Sequence, residues 1–458
     1  MDIDLIFKNS YDYYKSGKTR DIDGRIYYLR ILKDALEKHE EKLLNAVYKD
    51  LGKSRAEAFM TELGIVYEEI NYFLKNLKRL SKPDNPRTSI TQFPGSLKVI
   101  KEPHGVVLIM SPWNYPINLS LTPLVGAVAG GNTVILKPSE YANETSFWID
   151  KILKEISDNR VQVVQGAEDV SSKLLEKDFD YIFFTGSPRV GKIVMEAASK
   201  NLTPVTLELG GKSPTIVDEN VNIKKCAKRI VFGKLMNAGQ TCVAPDYIIC
   251  HSLVKNRLID EIIHQIKKAI PSKEYYYKNY PNIINERHFN RVANLIEGNA
   301  IFPKLGVEHF DEENLKISPV IIDSPSLDSK VMNEEIFGPI FPILTFENID
   351  EIRDIVEVNK NPLAMYIFSD DDDFIEKIIS NINSGGVCVN DTLMHMASNR
   401  APFGGVKNSG IGNYHGKASF DTFTRKRTCL YKSKFFDIKF RNHPYKDSYL
   451  NILKKFYK

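Results

Sequence analysis

Apolar residues near the start of the chain recur every three or four positions, which is the spacing of amphipathic helices. This pattern runs from Ile26 to about Leu80 and contains no proline. A Pro-rich stretch ends it, and residues 89–100 favour two short strands about a turn at Pro94-Gly95. We therefore expect a helical start followed by an arm that leaves the domain.

Short β-branched runs alternate with helical patterns from about residue 106 onward. The predicted strands are Val106–Met110, Thr133–Leu136, Val161–Val164, Tyr181–Phe184 and Val205–Leu207. Because these strands are apolar on both faces and are separated by helices, we expect a parallel sheet covered on both sides. Such sheets bind ligands at the carboxyl ends of their strands, so residues with chemical roles should follow the strands directly.

A second series of helices and strands begins after Gly211. Its predicted helices are Ile223–Leu235, Lys255–Ala269 and Phe374–Asn381, and its predicted strands are Tyr247–Cys250, Val320–Ile322 and Phe341–Leu344. The fold class predicted is therefore α/β, with two Rossmann-like α/β domains. Residues from 396 onward are rich in Gly and Pro and then strand-like, which favours a closing arm and a tail.

Composition excludes several classes of protein. Of the 458 residues, 43% are hydrophobic and 26% are charged, which is typical of folded globular proteins and argues against disorder or a fibrous repeat. The formal net charge of +4 is too small for a chain built throughout to bind nucleic acid. Five widely spaced cysteines without a Cys-x-x-Cys pair, and a start without signal-peptide features, favour a cytoplasmic location. The nine histidines show no metal-binding spacing, so we expect no metal site.

A candidate phosphate-binding loop spans residues 184–192, with glycines at Gly186 and Gly191. It follows a predicted strand and opens a predicted helix, which presents free backbone N–H groups to an anion. The spacing nearly matches a Walker loop, but Ile193 stands where Mg²⁺ needs a hydroxyl, which disfavours a nucleoside triphosphatase. The loop also falls short of the Gly-x-Gly-x-x-Gly fingerprint, so an ordinary strand-to-helix turn stays open.

Two further residues are candidates for catalysis. Cys242 lies in a small polar stretch directly after an apolar helix, where a thiol can have access and nearby donors, although most free cysteines are packing residues. Glu208 interrupts an otherwise apolar strand, and burial would raise its pKa toward that of a general base. The alternative for Glu208 is an ordinary salt bridge at a strand end.

Motifs spread over most of the chain together resemble the aldehyde dehydrogenase family. In the order of the family they are Pro112-Trp113-Asn114-Tyr115-Pro116, Lys137-Pro138-Ser139-Glu140, Phe184-Thr185-Gly186-Ser187, Leu207-Glu208-Leu209-Gly210-Gly211-Lys212, Gly239-Gln240-Thr241-Cys242, Glu334-Glu335-Ile336-Phe337-Gly338-Pro339 and Pro402-Phe403-Gly404-Gly405. The overall length and the residues that follow Cys242 resemble the class 3 branch, which includes fatty and aromatic aldehyde dehydrogenases. One departure is Pro188, where many relatives carry a small or hydroxylated residue.

The resemblance implies a reaction and its catalytic residues. The Cys242 thiolate would attack the aldehyde, and the Asn114 side-chain amide with the Cys242 backbone N–H would hold the oxyanion. Glu208 would act as the general base that activates water against the thioester. The expected substrates are medium- or long-chain or aromatic aldehydes.

The resemblance also implies a cofactor, NAD⁺ by preference with some use of NADP⁺. Each expected contact carries over from a family motif: Pro112 and Trp113 to the cofactor cleft, Lys137 and Glu140 to the adenosine ribose, Gly186, Ser187 and Gly191 to the diphosphate, Glu335 to the nicotinamide ribose, and Phe337 to the nicotinamide ring. The alternatives are that Phe337 is plain core and that Lys137 is a solvated loop charge.

The domain arrangement follows from the same resemblance. Residues 1–82 and 102–209 would form the NAD(P)-binding domain and residues 210–395 the catalytic domain. Residues 83–101 and 396–432 would form a small β oligomerisation arm that makes a homodimer, and 433–458 a basic tail.

Three rival functions remain at this point. An acylating dehydrogenase would pass the acyl group to coenzyme A, whereas Glu208 favours water as the acceptor. A cofactor-free thiol hydrolase would need a histidine partner for Cys242, and no histidine lies in the motifs. A non-catalytic protein of this fold would be expected to have lost motif residues, and none is lost.

The tail concentrates positive charge. From Arg425 to Lys458 there are eleven Lys or Arg and two Asp, a net +9. Apolar residues there fall at helical spacings with lysines between them: Tyr445, Tyr449, Leu450, Leu453, Phe456 and Tyr457 with Lys446, Lys454, Lys455 and Lys458. We hypothesise peripheral attachment to an anionic inner membrane surface; packing of this face on a partner subunit is the alternative.

Overall fold

A computed structural model describes residues 2–438 and 441–457, apart from the side chains of Ile90 and Phe456. Two basic residues of the predicted tail, Lys439 and Lys458, lie outside the described residues, as does the Phe456 side chain. Within this part of the chain, no helix has the length and apolar character needed to cross a membrane.

Helices and strands alternate along most of the chain. The helices are α1 (Ile3–Lys15), α2 (Ile22–Lys38), α3 (Glu40–Leu51), α4 (Arg55–Ala58), α5 (Gly64–Leu80), α6 (Asn118–Gly130), α7 (Asn143–Glu155), α8 (Glu168–Leu175), α9 (Pro188–Ser199), α10 (Ile223–Leu235), α11 (Lys255–Ala269), α12 (Lys273–Asn279), α13 (Glu286–Ala293), α14 (Lys330–Asn333), α15 (Ile349–Glu357), α16 (Asp372–Asn381), α17 (Lys417–Thr422) and α18 (Leu450–Tyr457). The strands are β1 (Gly95–Pro103), β2 (Val106–Met110), β3 (Thr133–Lys137), β4 (Val161–Val163), β5 (Tyr181–Gly186), β6 (Val205–Leu209), β7 (Pro214–Val217), β8 (Tyr247–His251), β9 (Ala300–Ile301), β10 (Phe310–Asp311), β11 (Lys316–Ile317), β12 (Val320–Asp323), β13 (Ile340–Phe346), β14 (Ala364–Phe368), β15 (Gly386–Val389), β16 (Gly410–Ile411) and β17 (Thr424–Lys432).

Two large sheets organise the described residues. The first has the order β16-β6-β5-β2-β3-β4, and all its pairs are parallel except β16 with β6. The second has the order β15-β14-β7-β8-β13-β12-β9 and is parallel except at β9. The predicted α/β class with parallel, Rossmann-like sheets is confirmed, and the strands predicted from 106 to 209 all form.

Strand order reverses in the first sheet between β2 and β5. The chain runs outward from β2 through β3 to β4, then returns to β5 on the other side of β2. Such a reversal opens a crevice at the carboxyl ends of the two central strands, because their connections leave to opposite sides. The segments beginning at Ser111 and Ser187 leave the sheet at this crevice.

The predicted hairpin at residues 89–100 is wrong. Residues 90–92 form a short 3₁₀ turn, and β1 pairs along its whole length with β17, from Gly95 opposite Lys432 to Pro103 opposite Thr424. The strand thus obtains its hydrogen-bonding partner from a segment far away in sequence, which local patterns do not reveal. Strands β7, β14 and β15 were also absent from the predicted series.

The segment before β17 returns to the first sheet and lies beside Glu208. Gly410 in β16 pairs with Glu208, and the Leu209 N–H donates to the Ser409 carbonyl at 3.0 Å. Farther along, the buried carboxylate of Glu69 on α5 accepts hydrogen bonds from the Gly416 N–H with both of its oxygens, at 2.8 and 3.0 Å. These contacts hold the C-terminal segment against the sheet that carries the candidate base.

Gly416 should be essential to this attachment. Its φ is +55°, a conformation that costs L-residues strain, and a Cβ there would collide with the Asn399 carbonyl oxygen. Gly416→Ala should therefore lower the free energy of unfolding by about 2–4 kcal/mol. Gly17→Ala is the matched control, because Gly17 has φ +78° with nothing within 4 Å of the added Cβ; it should cost only about 1–2 kcal/mol. If Gly416→Ala and Gly17→Ala lowered the free energy of unfolding in urea by equal amounts, the predicted collision at Gly416 would be contradicted.

Candidate active site

A cleft of about 510 Å³ lies at the crevice of the first sheet and extends toward the second. It gathers most of the residues singled out in the sequence: Pro112, Trp113, Asn114, Gly186, Ser187, Glu208, Cys242, Glu335 and Phe337. Three others, Lys137, Glu140 and Gly191, are not among its lining residues. The cleft therefore unites the predicted thiol, carboxylate and amide with the candidate phosphate loop.

Glu208 is a buried carboxyl group without a hydrogen-bond partner among the described residues. It lies on β6 with 3% of its surface exposed, and neither side-chain oxygen is hydrogen-bonded. Burial raises the pKa of Glu208 well above its usual value. The salt-bridge alternative does not apply, and the carboxyl group lines the cleft without a partner in the described part of the chain.

Cys242 is partly exposed as a residue, but its thiol group is buried. Burial raises the pKa of the Cys242 thiol to about 12, and the negative charges of Glu335 and Glu208 add to the effect. The thiol is thus protonated at neutral pH in this state. Because the thiolate is the nucleophile, reaction at Cys242 requires a base to remove this proton.

The turn before Cys242 holds consecutive residues in left-handed conformations. Asn237, Ala238 and Gly239 have φ of +52°, +51° and +78°. Such strain persists only where the surroundings fix the backbone. Here the Glu57 carboxylate accepts the Asn237 N–H at 2.7 Å, and the Gln240 side-chain amide donates to the Asn237 carbonyl at 3.0 Å. These bonds set the direction in which the chain enters Cys242.

Asn114 is tied directly to this turn. Its side-chain amide donates to the Gln240 carbonyl at 3.0 Å, and its own carbonyl accepts from the Asn237 side chain at 2.8 Å. The loop after β2 and the turn before Cys242 are therefore joined by hydrogen bonds in both directions. The side-chain nitrogen of Asn114 carries two N–H groups, and the bond to Gln240 uses one of them. The other can donate to an acceptor beside Cys242.

Aromatic rings and a carboxylate form the opposite side of the cleft. The Phe337 ring meets Trp113 edge-on at 5.5 Å between centroids and is partly exposed, so it is not plain core. Burial and the negative charge of Asp246 raise the pKa of Glu335 to about 8, and its Oε1 has no hydrogen-bond partner in the described chain. An orphan carboxylate oxygen facing a cleft is suited to accept from a ligand hydroxyl.

The candidate phosphate loop opens α9. The Ser187 hydroxyl caps the helix by accepting the Val190 N–H at 3.4 Å, and Pro188 occupies the first helical position, where the N–H it lacks would be unpaired. Gly191 has a packing role, since a Cβ there would collide with the Leu209 side chain. Together with Trp113 and the free oxygen of Glu335, this helix N-terminus fits a dinucleotide cofactor.

Lys137 and Glu140 lie beside the cleft and bind each other. Their Nζ and Oε2 atoms are 2.6 Å apart, and the Lys137 side chain is 6% exposed. Lys137 is thus not the solvated loop charge that was its alternative reading.

Several lining residues carried no signal in the sequence. His288 and Arg291 on α13 and Arg189 on α9 border the cleft. Burial, aided by the positive charges of Arg291 and Arg287, lowers the pKa of His288 to about 4. The centroids of the His288 and Trp113 rings are 5.2 Å apart. Arg291 also donates to the Glu335 carbonyl at 3.1 Å and the Ile336 carbonyl at 2.7 Å. His288 and Arg291 belong to no motif because a helix from a distant part of the chain brings them here, whereas Arg189 lies within the loop 184–192 but was not singled out.

Residues 1–429 match the family model described as the Aldehyde dehydrogenase family. The chain is 42% identical over 463 residues to the 4,4'-diaponeurosporen-aldehyde dehydrogenase of Staphylococcus aureus, covering 100% of this chain and 99% of that protein. It is 41% identical to the Aldehyde dehydrogenase family 3 member H1 of Arabidopsis thaliana, covering 96% and 92%. The solved structure of a substrate-bound state of Staphylococcus aureus AldH superposes with a TM-score of 0.96 at 42% identity and 100% coverage of both chains. The resemblance to the class 3 branch is thereby confirmed.

Burial of Glu208 should be visible in the pH dependence of stability. In the unfolded chain its carboxyl ionises near pH 4.5, whereas the folded protein retains the proton to a much higher pH. Folding then binds a proton, so the wild-type protein loses stability as pH rises above 4.5, by up to about 1.4 kcal/mol per unit. Glu208→Gln removes this loss, and the variant should become increasingly more stable than wild type between pH 5 and pH 7.

Urea unfolding at pH 5, 6 and 7 measures this difference. Glu176→Gln, at an exposed position, controls for the loss of one carboxylate. A Glu208→Gln difference that stays constant with pH would show that folding does not raise the pKa of Glu208, and one that shrinks as pH rises would show that Glu208 is stabilised as an anion.

Proposed function

The chain belongs to the aldehyde dehydrogenase family and is an NAD(P)-dependent oxidoreductase that converts aldehydes to carboxylic acids, and we propose that Cys242, Glu208 and Asn114 carry out this reaction. The observation that supports the assignment is their meeting in one cleft. There a buried thiol, an unpaired carboxyl and a tethered amide provide the nucleophile, the base and the oxyanion donor of acyl chemistry.

In the first half of the reaction the Cys242 sulfur bonds to the aldehyde carbon. The thiol proton leaves to solvent while Glu208 stays ionised, and the carbonyl oxygen becomes an oxyanion held by the Asn114 amide and the Cys242 backbone N–H. A bound nicotinamide would supply the acceptor for the hydride that leaves this carbon. A thioester on Cys242 remains.

In the second half, water replaces the sulfur. Glu208 removes a proton from the water as its oxygen bonds to the thioester carbon, and the same two N–H donors hold the oxyanion again. The C–S bond then breaks, the acid leaves, and the sulfur regains a proton from Glu208. The raised pKa of Glu208 makes it a stronger base than an exposed carboxylate.

The cofactor contacts keep their assigned residues. Pro112 and Trp113 would line the cofactor cleft, Phe337 would lie against the nicotinamide ring and Glu335 would accept from its ribose. Gly186, Ser187 and Gly191 at the start of α9 would surround the diphosphate. Lys137 and Glu140 would meet the adenosine ribose from beside the cleft. We propose NAD⁺ as the preferred form, because Glu140 repels a 2′-phosphate, with some NADP⁺ use through Lys137.

The substrates proposed are medium- or long-chain or aromatic aldehydes. The buried Tyr115 hydroxyl hydrogen-bonds with Thr241 Oγ1, and the buried Tyr366 hydroxyl donates to the Val243 carbonyl, so two aromatic side chains contact the residues on either side of Cys242. Apolar surroundings favour apolar substrates. The relative named for diaponeurosporen-aldehyde supports a bulky aldehyde.

We propose a homodimer formed through strand edges. Strand β17 is largely exposed, and β15 is the terminal strand of the second sheet. Unpaired strand edges favour pairing with another chain.

Replacing the thiol tests the catalytic assignment. Cys242→Ser should abolish aldehyde oxidation while leaving cofactor binding and the thermal midpoint near those of wild type, because a serine hydroxyl is far less ionised than a thiol. Cys388→Ser and Cys429→Ser, also at partly exposed cysteines, are the controls and should retain turnover. Equal loss in either control would exclude Cys242 as the one nucleophile.

A panel of aldehydes tests the substrate class and the acceptor. Decanal and benzaldehyde should have kcat/KM at least about tenfold above that of acetaldehyde, since each buried methylene contributes about 0.8 kcal/mol. NAD⁺ should give higher kcat/KM than NADP⁺. Free acid should be the product with or without coenzyme A, and acyl-coenzyme A formation would contradict water as the acceptor.

The tail is proposed to attach peripherally to anionic membrane. Leu450, Ile452 and Tyr457 of α18 are 50%, 43% and 75% exposed, next to Lys454 and Lys455. Each lysine near an anionic surface contributes about 1 kcal/mol. The full chain should sediment with anionic liposomes at low salt and not at high salt, and deletion of residues 444–458 should abolish this without changing turnover. If the deletion instead changes the oligomeric state and leaves lipid binding as it was, the tail packs on a partner subunit.

A further inference from the structure

A buried ion pair lies behind the loop that carries Asn114. The Lys53 Nζ and Glu62 Oε1 atoms are 2.8 Å apart, and both side chains are 0% exposed. Lys53 precedes α4, and Glu62 lies in the short π-helical segment Phe59–Leu63 that joins α4 to α5. Neither residue belongs to the motifs that identify the family, and neither lines the cleft.

The pair holds both ends of the Asn114 loop. Lys53 Nζ donates to the Asn114 carbonyl at 2.8 Å, and Glu62 Oε2 accepts the Ile117 N–H at 2.8 Å. The Asn118 N–H, at the start of α6, also points to Glu62 at 3.4 Å. The Lys53 cation therefore contacts a carbonyl oxygen, and the Glu62 anion contacts the N-terminus of α6. Both contacts are electrostatically favourable.

Lys53 also fixes the residue that follows Asn114. Its Nζ lies 3.9 Å from the centroid of the Tyr115 ring, within the range of a cation–π contact. The Tyr115 hydroxyl in turn hydrogen-bonds with Thr241 Oγ1 at 2.5 Å, immediately before Cys242. Lys53 thus contacts the Asn114 loop at two consecutive residues.

The remaining contacts of Asn114 come from another irregular segment. Its carbonyl accepts from Asn237, and its side chain donates to Gln240. The Asn237 side chain also donates to the Gln240 carbonyl at 3.1 Å, so these three residues form a closed ring of hydrogen bonds. The ion pair connects this ring to the helical N-terminal segment.

Stability alone does not account for such a pair. Removing two charges from water costs several kcal/mol per ion, and well-packed apolar replacements of buried pairs are often neutral or stabilising. A transition-state donor, by contrast, loses much of its effect if it is displaced by about 1 Å. Fixing the Asn114 carbonyl is a role that an apolar pair cannot fill.

We propose that Lys53, with Glu62 as its counterion, is a positioning residue that aims the Asn114 amide at the oxyanion formed on Cys242. The inference rests on the proposed function of Asn114. It predicts that Lys53 affects thioester formation only through Asn114.

A double-mutant cycle tests this dependence. Lys53→Met with Glu62→Gln removes both charges together and preserves side-chain length, so neither ion is left unpaired. In single-turnover assays with decanal and saturating NAD⁺, this variant should form the thioester about 10- to 100-fold more slowly than wild type. Its KM for NAD⁺ should change by less than about threefold, because the cofactor contacts are elsewhere.

The decisive comparison is in an Asn114→Ala background. Asn114→Ala alone should slow thioester formation by about 10²–10³. Adding the Lys53 and Glu62 changes should then slow it by less than about threefold, because the donor they position is absent. A further 10- to 100-fold loss in that background would overturn the proposal, as would a wild-type rate in the Lys53→Met, Glu62→Gln variant.

Failure of the underlying function would look different. If Asn114→Ala itself forms thioester at the wild-type rate, Asn114 is not the oxyanion donor and both assignments fall. If Asn114→Ala forms the thioester slowly and the Lys53 and Glu62 changes slow it further by their full factor, only the role of Lys53 is contradicted.

A matched control separates positioning from the general cost of losing a buried cation. Arg25 is 6% exposed and donates to the carbonyls of Thr19 and Ala129, rather than to the Asn114 loop. Arg25→Met should lower the thermal midpoint and leave the rate of thioester formation within about twofold of wild type. Should the Lys53 and Glu62 variant fail to fold, Lys53→Arg repeats the cycle, since its longer side chain keeps the charge but displaces the Asn114 carbonyl.

Discussion

The chemistry proposed for this protein depends on the burial of Glu208 with no hydrogen-bond partner among the described residues. A carboxyl group in that position holds its proton strongly, and so does the buried Cys242 thiol near it. Once ionised, such a buried carboxylate is a stronger proton acceptor than an exposed one, which suits it to activate water. The parallel pairing of β6 with β5 and the antiparallel contact of β16 enclose Glu208 from both sides, so the fold itself maintains this condition.

Internal ion pairs hold the loops around this site. Lys53 and Glu62 support the Asn114 loop, and on the opposite side Lys212 Nζ binds Asp246 Oδ2 at 2.6 Å and donates to the Glu334 carbonyl at 2.9 Å. Asp246 Oδ1 accepts the Ile336 N–H at 3.1 Å. Hydrogen bonds from these charged side chains thus fix the irregular backbone that carries Asn114 and Glu335.

The role of Asn114 came from the family resemblance, whereas local patterns in the sequence were sufficient for the parallel strands of the first sheet and for singling out Cys242 and Glu208. They failed where a partner comes from far along the chain: β1 pairs with β17, and the predicted hairpin does not form. The packing of Gly191 against Leu209 is likewise visible only in the tertiary structure. Lys53 and Glu62 look like ordinary charges on an amphipathic segment, and only the tertiary structure shows that they are buried against each other.

The most direct test of this account is the covalent state of Cys242 in a Glu208→Gln variant. With decanal and NAD⁺, intact-protein and peptide mass spectrometry should show the decanoyl group on Cys242 accumulating to near one per chain, with a burst of reduced cofactor before slow turnover. That result is expected because the base for water attack is gone while the thiol and the Asn114 donor remain. Unmodified Cys242 together with wild-type acid production would contradict the role of Glu208 and the account built on its burial.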